Sequence, residues 1–593
     1  MSASDKSDRS MDPHAAAASP QSPHLQPPQR SATPAPAEPQ SSVDMQAHLD
    51  ALRAKDLLVE VDVPVNKDTV LHPLVRWQYC GGIPEDERKG FLFTNVVDGK
   101  GRTYDIDVAV GVMAGNPDIY SVGMGVSIDQ IAGHWLTSME QPVDPVEVTQ
   151  APCQEIVVTG EDLTKEGGGL DGLPIPVSTP GYDVAPYFTA GCWVTKDPDN
   201  GIQNMGVYRG NLKSSTRVAV MMERATLAGG WEDWKKYRAR GEKMPAAVVL
   251  GAPPAVEYCG PQKLPLDNDE VRVAGALAGQ PVEVVRAKTV DLLVPAHAQV
   301  IVEGFIDDEY LEPEGPFGES HGYMSLEEFN MIFEVSAITR RRKAVITSLI
   351  SQVTPSESSV IKKLAYEPIY LEHLRDHLAI KQVRQVVMHE PLTNLRAFLF
   401  IVFEHGTPKT EIWRALEGAT SLQPAVGKFC IAVDEDIDPS NTDHVLWAMA
   451  FRCNPREDLV VLPYRSHGHA PAEAGMEIDS TVLINATQKG PMPAVALPKQ
   501  AHMEAAKELW DSLGLPKLRP TNPWYGYSLG VDDPRWDEAA QRAAVSDWET
   551  NGSETWPRRR KMSTTNLPTS VVEHKPEKVS STHVDESDKA SGS

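Results

Sequence analysis

The sequence predicts a mixed α+β fold with a large β component. Short β-branched runs recur between about residues 90 and 350, among them RVAV at 217–220 and QVIV at 299–302. Turn-rich stretches such as DPDNG at 197–201 separate these runs. From about residue 361 to residue 490, strand-like runs alternate with helical patterns, which is typical of an α/β region. The chain is therefore expected to form a β-rich body, compatible with a barrel, followed by a second α/β domain.

The folded body is predicted to begin at Met45. Met45, Leu49 and Leu52 recur at helical spacing, and the alternating run LVEVDV at 58–63 predicts a strand directly after this helix. Before it, residues 1–44 consist mostly of Ser, Pro, Ala, Gln and His with almost no large apolar side chain. Such a segment buries too little surface to offset the entropy of ordering, so it predicts a disordered tail.

The second region of the body is expected to start after a composition change at VTPSESSV, residues 353–360. The run FLFIVF at 398–403 predicts a buried strand, and residues 500–513 predict an exposed terminal helix. Ser, Thr, Lys, Glu and Asp dominate residues 551–593, which predicts a second disordered tail.

Composition limits the classes of function. The 593 residues include 82 acidic and 56 basic side chains, a formal charge of −26, which argues against nucleic acid or an anionic membrane surface as the partner. No apolar run approaches the roughly 20 residues needed to cross a bilayer. The 6 cysteines show no CxxC spacing, which favours reduced thiols over a disulfide framework or zinc site. We expect a cytoplasmic protein whose partner is a small molecule or another protein.

One candidate site segment is residues 195–209, where a turn leads into a predicted strand. Asn204, Gly206 and Tyr208 would share one face of that strand. Arg209 follows directly.

A second candidate segment is residues 311–323, where prolines and glycines surround Glu314 and Glu319. A carboxyl group beside an apolar ring such as Phe317 would have a raised pKa, and one paired with an arginine a lowered pKa. Two such environments can produce an acid and a stabilising carboxylate from the same residue type. Gly/Pro/Glu loops are also common surface turns, so this pattern alone leaves both interpretations open.

Histidines give weaker signals. His321 follows the acidic loop and would contact either the substrate or the residues that surround the substrate-binding groups. His467 and His469 have the spacing of a chelating pair, but histidines in a Gly/Pro loop more often form ordinary hydrogen bonds.

Taken together, the two candidate segments resemble the UbiD family of prenylated-FMN-dependent decarboxylases. Other stretches that carry the resemblance are LPIP at 173–176, AAVVLGAPP at 246–254, VRVAGAL at 271–277, DLLVPA at 291–296 and INAT at 484–487. The resemblance extends over about residues 45–535.

This resemblance implies three folded parts. They are an N-terminal α/β region (45–145), a central split β-barrel domain that binds the flavin (146–352) and a C-terminal α/β oligomerisation domain with a terminal helix (353–550). It also implies a homodimer or higher homo-oligomer. The implied cofactor is prenylated FMN, made by a separate flavin prenyltransferase, which acts as the electron sink when the acid loses CO2.

The resemblance assigns catalytic roles to Arg209, Glu314 and Glu319. Arg209 would hold the substrate carboxylate or the cofactor edge with its planar fork. Glu314 would orient Arg209, and Glu319 would donate the proton that replaces CO2. An ordinary buried ion pair between Arg209 and Glu314 is the structural alternative.

The family's metal clip joins the flavin phosphate to an Asn, a His and a Glu through Mn²⁺ or Mg²⁺, with K⁺ nearby. Asn204 and Glu270 match the Asn and the Glu, but Leu227 stands where the His is expected. The resemblance thus implies Asn204 and Glu270 as metal ligands, completed by water or another oxygen. The implied cofactor-binding residues are Asn204, Met205, Gly206, Arg209, Leu227 and Glu270.

The sequence therefore predicts a reversible, non-oxidative decarboxylase of an aromatic or heteroaromatic acid, with α,β-unsaturated acids included. The alternative is a non-catalytic flavin-binding or scaffold homologue that lost the metal histidine. Retention of Arg209, Glu314 and Glu319 argues against that alternative. A cellular carboxylase would share all of these residues and differ only in CO2 and substrate concentrations.

Overall fold

The computed structural model describes residues 41–222, 228–262, 264, 269–423, 426–465, 478–490, 496–518 and 534–559. Leu227, His467 and His469 lie outside these residues. Over the described stretches, none of the helices has both the length and the apolar character that crossing a membrane requires.

The chain divides into two compact units. The first comprises the chain up to Ile401 together with Trp413–Ile431 and Val460–Ile484, and the second comprises Val402–Ile412, Ala432–Leu459 and the chain from Asn485. The predicted domain limits remain predictions.

The first unit holds most of the secondary structure. Its helices are α1 (Met45–Ala54), α2 (Leu71–Cys80), α3 (Pro117–Met124), α4 (Ile131–Glu140), α5 (Gly229–Arg240), α6 (Pro254–Cys259), α7 (Glu270–Ala278) and α8 (Glu357–Glu372). Its strands up to the long hairpin are β1 (Leu58–Val61), β2 (Val65–Asn66), β3 (Gly90–Phe93), β4 (Val96–Val97), β5 (Asp107–Val110), β6 (Val146–Val148), β7 (Ile156–Thr159), β8 (Tyr187–Phe188), β9 (Cys192–Lys196), β10 (Gln203–Val207), β11 (Gly210–Ser214), β12 (Arg217–Val220), β13 (Met244–Leu250), β14 (Glu283–Arg286) and β15 (Leu293–Pro295). The strands that follow are β16 (Val300–Glu314), β17 (Phe317–Gly318), β18 (Met324–Ser325), β19 (Glu328–Arg340), β20 (Val345–Thr347) and β21 (Val383–Met388).

Side-chain caps explain where several helices begin. Asp44 accepts the backbone N–H of Ala47 at 2.8 Å, so α1 starts at Met45, as the sequence predicts. Asn116 caps α3 in the same way, with Pro117 at the first helical position. The predicted strand at 58–63 is also confirmed, although it ends at Val61.

The largest sheet runs in the order β10-β9-β13-β16-β19-β12-β11-β8, with β7 paired to β19. Only Tyr208 and Arg209 join β10 to β11. In a flat sheet these two strands would lie roughly 29 Å apart, at about 4.8 Å per strand. Their short connection spans on the order of 11 Å. The sheet must therefore curl until β10 approaches β11, which produces a half-barrel with a seam at this connection.

Both faces of the curled sheet are covered. Along β13, Val248 and Leu250 belong to a cluster with Trp193 and Phe333, whereas the intervening Val249 belongs to a second cluster. That second cluster includes residues of α1, α3, α4, α6 and α7. Successive side chains of a strand point to opposite faces of the sheet, so one set lies inside the half-barrel and the other set packs beneath the helices. Burial on both faces explains the nearly continuous apolar runs.

The long antiparallel hairpin of β16 and β19 positions the acidic loop. Its register runs from Val300 opposite Arg340 at one end to Glu314 opposite Glu328 at the other. The acidic loop follows directly, because β17 pairs with β18 in a small hairpin next along the chain.

The remaining elements are β22 (Phe398–Phe403), α9 (Lys409–Leu422), β23 (Phe429–Asp434), α10 (Thr442–Arg452), β24 (Leu459–Arg465), β25 (Asp479–Asn485), α11 (Gln500–Ser512), α12 (Pro534–Ala544) and α13 (Trp548–Thr555). A five-stranded sheet has the order β21-β22-β23-β25-β24. The predicted buried strand at 398–403 is confirmed as β22.

The chain after residue 500 corrects two predictions. The predicted terminal helix exists as α11, but α12 and α13 follow it. α13 also runs past residue 551, where a tail without structure was predicted. Arg542 on α12 donates to Asn551 at 2.7 Å and to Glu554 at 2.6 Å. These contacts are polar, so a search for apolar residues missed them.

Candidate active site

Arg209 lies at the seam of the half-barrel and joins two carboxylates. Its Nε and Nη2 donate to the two carboxylate oxygens of Glu314 at 3.0 and 2.8 Å, and its Nη1 donates to Glu319. We call Arg209, Glu314 and Glu319 the acid cluster. The candidate segments, separated by about a hundred residues in the chain, thus meet at one point.

Glu314 is the buried member of the acid cluster. It is the last residue of β16 and its side chain is 0% exposed. Asn330 on β19 donates to its Oε2 at 3.1 Å, in addition to the bidentate contact with Arg209. A planar guanidinium matches both oxygens of a carboxylate, which a lysine cannot do.

Glu319 is the accessible member, with a side chain that is 24% exposed. It directly follows β17 and lies in the loop between β17 and β18, where its backbone N–H donates to the Tyr323 carbonyl oxygen at 3.0 Å. Gly315 enters this loop with φ +114°, and a Cβ there would lie 2.8 Å from the Leu326 carbonyl oxygen. Glycine is therefore required at the turn that sets the loop's direction.

Two aromatic rings, those of Phe317 and Tyr187, pack beside Arg209 and the acidic loop. The Arg209 guanidinium carbon lies 5.2 Å from the centre of the Phe317 ring, and Tyr187 packs against the same ring at 4.5 Å. Arg209 Nη1 also donates to Ser325 Oγ at 3.1 Å, and Ser325 in turn donates to the Phe317 carbonyl at 3.1 Å. The guanidinium is thus fixed in position before any ligand arrives.

Electrostatics keep Arg209 charged. Burial by itself would lower its pKa, but attraction to Glu314 and then to Glu319 outweighs that effect and raises the pKa. For Asp183, on the neighbouring loop, burial raises the pKa to about 6.

Asn204 and Glu270, which we call the clip pair, lie on adjacent elements. Glu270 opens α7 and its Oε2 accepts the backbone N–H of Met205 at 3.0 Å, directly beside Asn204 on β10. Burial raises the pKa of Glu270 to about 7. Gly229 lies so close to the Asn204 amide that an added Cβ would overlap it.

The clip pair fits a phosphate and a hard divalent cation. Asn204 Nδ2 is buried and finds no hydrogen-bond partner among the described residues, and such a donor suits a phosphate oxygen. A divalent cation would supply the positive charge that the buried Glu270 carboxylate needs. The described parts of the chain contain no group of three or more His, Cys, Asp or Glu side chains able to hold a metal. A cation here would need further ligands from phosphate and water.

The other predicted residues fall into different surroundings. Gly206 makes room for Tyr208, whose hydroxyl oxygen would lie 2.5 Å from an added Cβ. His321 Nδ1 accepts the Tyr323 backbone N–H at 3.2 Å, inside the acidic loop. Ser325 and Asn330, which hold Arg209 and Glu314, escaped the sequence analysis because no motif marks an isolated polar residue on a strand. Only the β16–β19 register reveals Asn330 as a neighbour of Glu314.

Family models match more than half of the chain. Residues 145–353 match the 3-octaprenyl-4-hydroxybenzoate carboxy-lyase Rift-related domain (UbiD), and residues 359–486 match the C-terminal domain of the same carboxy-lyase (UbiD_C). A curated relative, the uncharacterized protein sll0936 of Synechocystis, is 27% identical over 520 residues, which cover 82% of this chain and 99% of that protein.

Solved structures give the same result. The UbiD-class enzyme HmfF from Pelotomaculum thermopropionicum, in an evolved dimeric form with prFMN, is 26% identical with a TM-score of 0.68, covering 79% of this chain and 100% of that chain. The same enzyme with FMN has a TM-score of 0.69 and 26% identity, covering 78% and 99%. The 3,4-dihydroxybenzoic acid decarboxylase of Enterobacter cloacae, at 22% identity and a TM-score of 0.66 over 79% and 99% of the two chains, shares the fold.

Proposed function

The chain belongs to the UbiD family of carboxy-lyases, and from that premise we propose a reversible, non-oxidative decarboxylase of an aromatic, heteroaromatic or α,β-unsaturated carboxylic acid. The acid cluster is the observation that carries this proposal. It places a charged guanidinium between one buried and one partly exposed carboxylate. Carboxylate recognition and proton transfer both need this combination of groups.

In the proposed reaction the two glutamates act differently. Glu314 is fully buried and held at both oxygens, so it orients Arg209 and takes no part in proton transfer. Arg209 holds the substrate carboxylate in place. Glu319 is partly exposed and donates the proton to the carbon that loses CO2, or removes it in the carboxylation direction.

The proposed cofactor is prenylated FMN, supported by the prFMN and FMN complexes of HmfF. When bound, it supplies the electron sink that loss of CO2 requires. Asn204, Met205, Gly206, Arg209 and Glu270 would hold it, and Asn204 and Glu270 would also hold Mn²⁺ or Mg²⁺, with K⁺ as a further cation of the site. Leu227 is included in this set by the sequence resemblance alone.

The proposal includes two protein partners. A flavin prenyltransferase would supply the cofactor, and a second copy of this chain would form a homodimer or higher homo-oligomer. The substrate itself is a small acid rather than a macromolecule.

The test is coexpression with a flavin prenyltransferase under anaerobic, metal-replete conditions, followed by a panel of aromatic and unsaturated acids. We expect a bound flavin heavier than FMN, CO2 release from at least one acid, and H/D exchange of its product in bicarbonate. A protein that binds the flavin but releases no CO2 and exchanges no product hydrogen would instead be the non-catalytic homologue. Recovery without flavin would overturn the cofactor assignment.

A further inference from the structure

A group of unpartnered polar atoms lies around the acidic loop. The side-chain atoms Ser178 Oγ, Thr179 Oγ1, Asp183 Oδ1 and Gln352 Nε2 are buried and have no hydrogen-bond partner among the described residues. Burying a polar atom without a partner costs free energy, so a cluster of such atoms indicates a place that a ligand fills. We call these four residues the recognition pocket.

The recognition pocket adjoins the acid cluster. A Cβ added to Gly318, the residue before Glu319, would lie 2.6 Å from Gln352 Cγ and 3.0 Å from Thr179 Oγ1. Both side chains therefore lie directly over Gly318, one residue from Glu319. Asp183 Oδ2 accepts the Thr179 backbone N–H at 2.6 Å, which places Asp183 beside Thr179.

Arg76, on α2, fixes the orientation of the Gln352 amide. Its Nη2 lies 2.6 Å from Gln352 Oε1, and its Nη1 donates to the Val353 carbonyl at 2.8 Å. Because a guanidinium only donates, the amide oxygen must face Arg76 and the NH2 group must face away from it. Gln352 thus presents a donor, and a charged group on its carbonyl strengthens that donor.

The positive charge of Arg76 is not balanced within the described chain. Within those residues no carboxylate lies at ion-pair distance from it, and its contacts are the amide and one backbone carbonyl. Burial lowers the pKa of Arg76, which is the expected effect of a cation without a nearby counter-charge. A ligand that brings negative charge near Gln352 would offset this cost.

We propose that Gln352, positioned by Arg76, and Thr179 recognise a second anionic oxygen on the substrate, separate from the carboxylate that leaves. The second oxygen belongs to another carboxylate or to an ionised ring hydroxyl. This inference rests on the proposed function and names the substrate class of the same site. Gln352 and Thr179 contact the substrate, whereas Arg76 is a positioning residue.

Isothermal titration of matched acids tests the inference on the full-length, cofactor-loaded protein and on the protein as isolated. The probes are benzoate, its 1,3- and 1,4-dicarboxylates, the monomethyl ester of the 1,4-dicarboxylate, and 3- and 4-hydroxybenzoate. At least one acid with a second anionic oxygen should bind about ten- to a hundredfold more tightly than benzoate, as expected for a hydrogen bond to a charged group. A preference that rises with pH identifies the ring hydroxyl, and loss of the preference on esterification identifies the carboxylate.

Variants assign this preference to Gln352. Gln352→Leu should remove it while benzoate binding and flavin retention stay unchanged, and Gln352→Glu, which keeps the shape, should reverse it. Arg76→Lys should raise KM for the preferred acid with little change in kcat. Gln78→Leu is the matched control: Gln78 is a buried glutamine on the same helix, bonded to the backbone of Lys89 at both ends, so its loss should lower Tm without changing the preference.

The outcomes separate this inference from the proposed function. Selective binding without CO2 release would reject the decarboxylase and retain the recognition pocket. CO2 release with a preference unchanged in both Gln352 variants would overturn the pocket and retain the decarboxylase. Loss of flavin in Gln352→Leu would assign these polar atoms to the cofactor, and would also overturn the inference.

Discussion

The acid cluster and the clip pair are two groups of buried polar residues in the same half-barrel, and they differ in charge balance. In the acid cluster, the buried Glu314 carboxylate has its own guanidinium at 2.8 Å. In the clip pair, Glu270 accepts a backbone N–H but has no cation among the described residues, and burial raises its pKa to about 7. The first is complete as the chain folds, whereas the second has no counter-charge among the described residues.

This difference in charge balance determines what the binding of a ligand would change in each group. A preformed ion pair costs no reorganisation when the substrate arrives. A carboxylate left without a cation keeps affinity for a metal, because binding the metal removes a penalty that the folded chain already carries. The same chain therefore contains one group whose charges are balanced within the fold and one that a bound cation would balance.

The largest effect should come from removing the accessible acid. Glu319→Gln keeps the shape of the side chain but removes the transferable proton, so turnover should fall by roughly 10²–10⁴ while flavin binding stays nearly intact. Turnover and flavin absorbance are measured on the same loaded sample. Glu312→Gln, which removes a carboxylate on β16 that pairs with the surface residue Arg217, should leave turnover unchanged. Near-normal activity in Glu319→Gln would remove Glu319 from its proposed role.

The next effect should appear in stability. Arg209→Met leaves the buried Glu314 carboxylate without its cation and with only the Asn330 hydrogen bond, so the free energy of unfolding should fall by about 3–5 kcal/mol in urea denaturation. The double variant Arg209→Met/Glu314→Gln should recover part of this loss. Arg217→Met breaks the half-exposed pair with Glu312 and should cost at most about 1 kcal/mol. Equal losses in Arg209→Met and Arg217→Met would contradict a complete, buried acid cluster.

Metal retention tests the clip pair, the second of the two groups compared above. Glu270→Gln should lower bound Mn²⁺ and speed flavin loss during EDTA dialysis, because it removes the carboxylate of the clip pair. Leu227→His, which adds the ligand that the family resemblance leads one to expect, should act in the opposite direction. Elemental analysis and retained flavin are the measurements.

The matched control for Glu270 is Glu257→Gln. Glu257 is also a buried carboxyl in this unit, but it bonds to Ala252 and Thr347 and lies outside the proposed clip. Metal content should stay the same in this variant. Loss of metal from Glu257→Gln and not from Glu270→Gln would show that the clip pair is assigned wrongly.

The smallest effect is a pH dependence of stability. Burial raises the pKa of Glu257 to about 8, so between its ordinary value of 4.5 and about 8 the folded state holds a proton that the unfolded chain has released. The free energy of unfolding should therefore decrease as pH rises through this window, by up to about 1.4 kcal/mol per pH unit for this group. Glu257→Gln should flatten the slope, measured by urea denaturation at pH 5.5, 6.5 and 7.5. An unchanged slope would place the titration elsewhere.

The sequence predicted the acid cluster better than its surroundings. Arg209, Glu314 and Glu319 stand in long motifs, so the resemblance identified them before their contact was known. The same holds for the α+β class, because a period of two in the apolar residues is visible without a structure. Ser325 and Asn330 could not be predicted, since strand register decides their contacts and single polar residues leave no pattern.

The recognition pocket is a second part of the site that could not be predicted from the sequence. Gln352 lies in a segment that the sequence analysis treated as a composition change, and Arg76 lies in a helix that it did not single out. Nothing in either segment indicates a contact across 276 positions of the chain. The part of α13 after residue 550 was missed for a different reason, because polar contacts hold this helix.

The position of Arg209 at the seam also sets an order of events during synthesis. Its partner Glu314 follows 105 positions later at the end of β16, and β19, a strand that pairs with β16, follows later still. A chain still emerging from the ribosome therefore has the arginine without the acid. A chain that stops short of the acidic loop lacks Glu319 and also β19, the strand that pairs with both β16 and β12, so it cannot form the acid cluster.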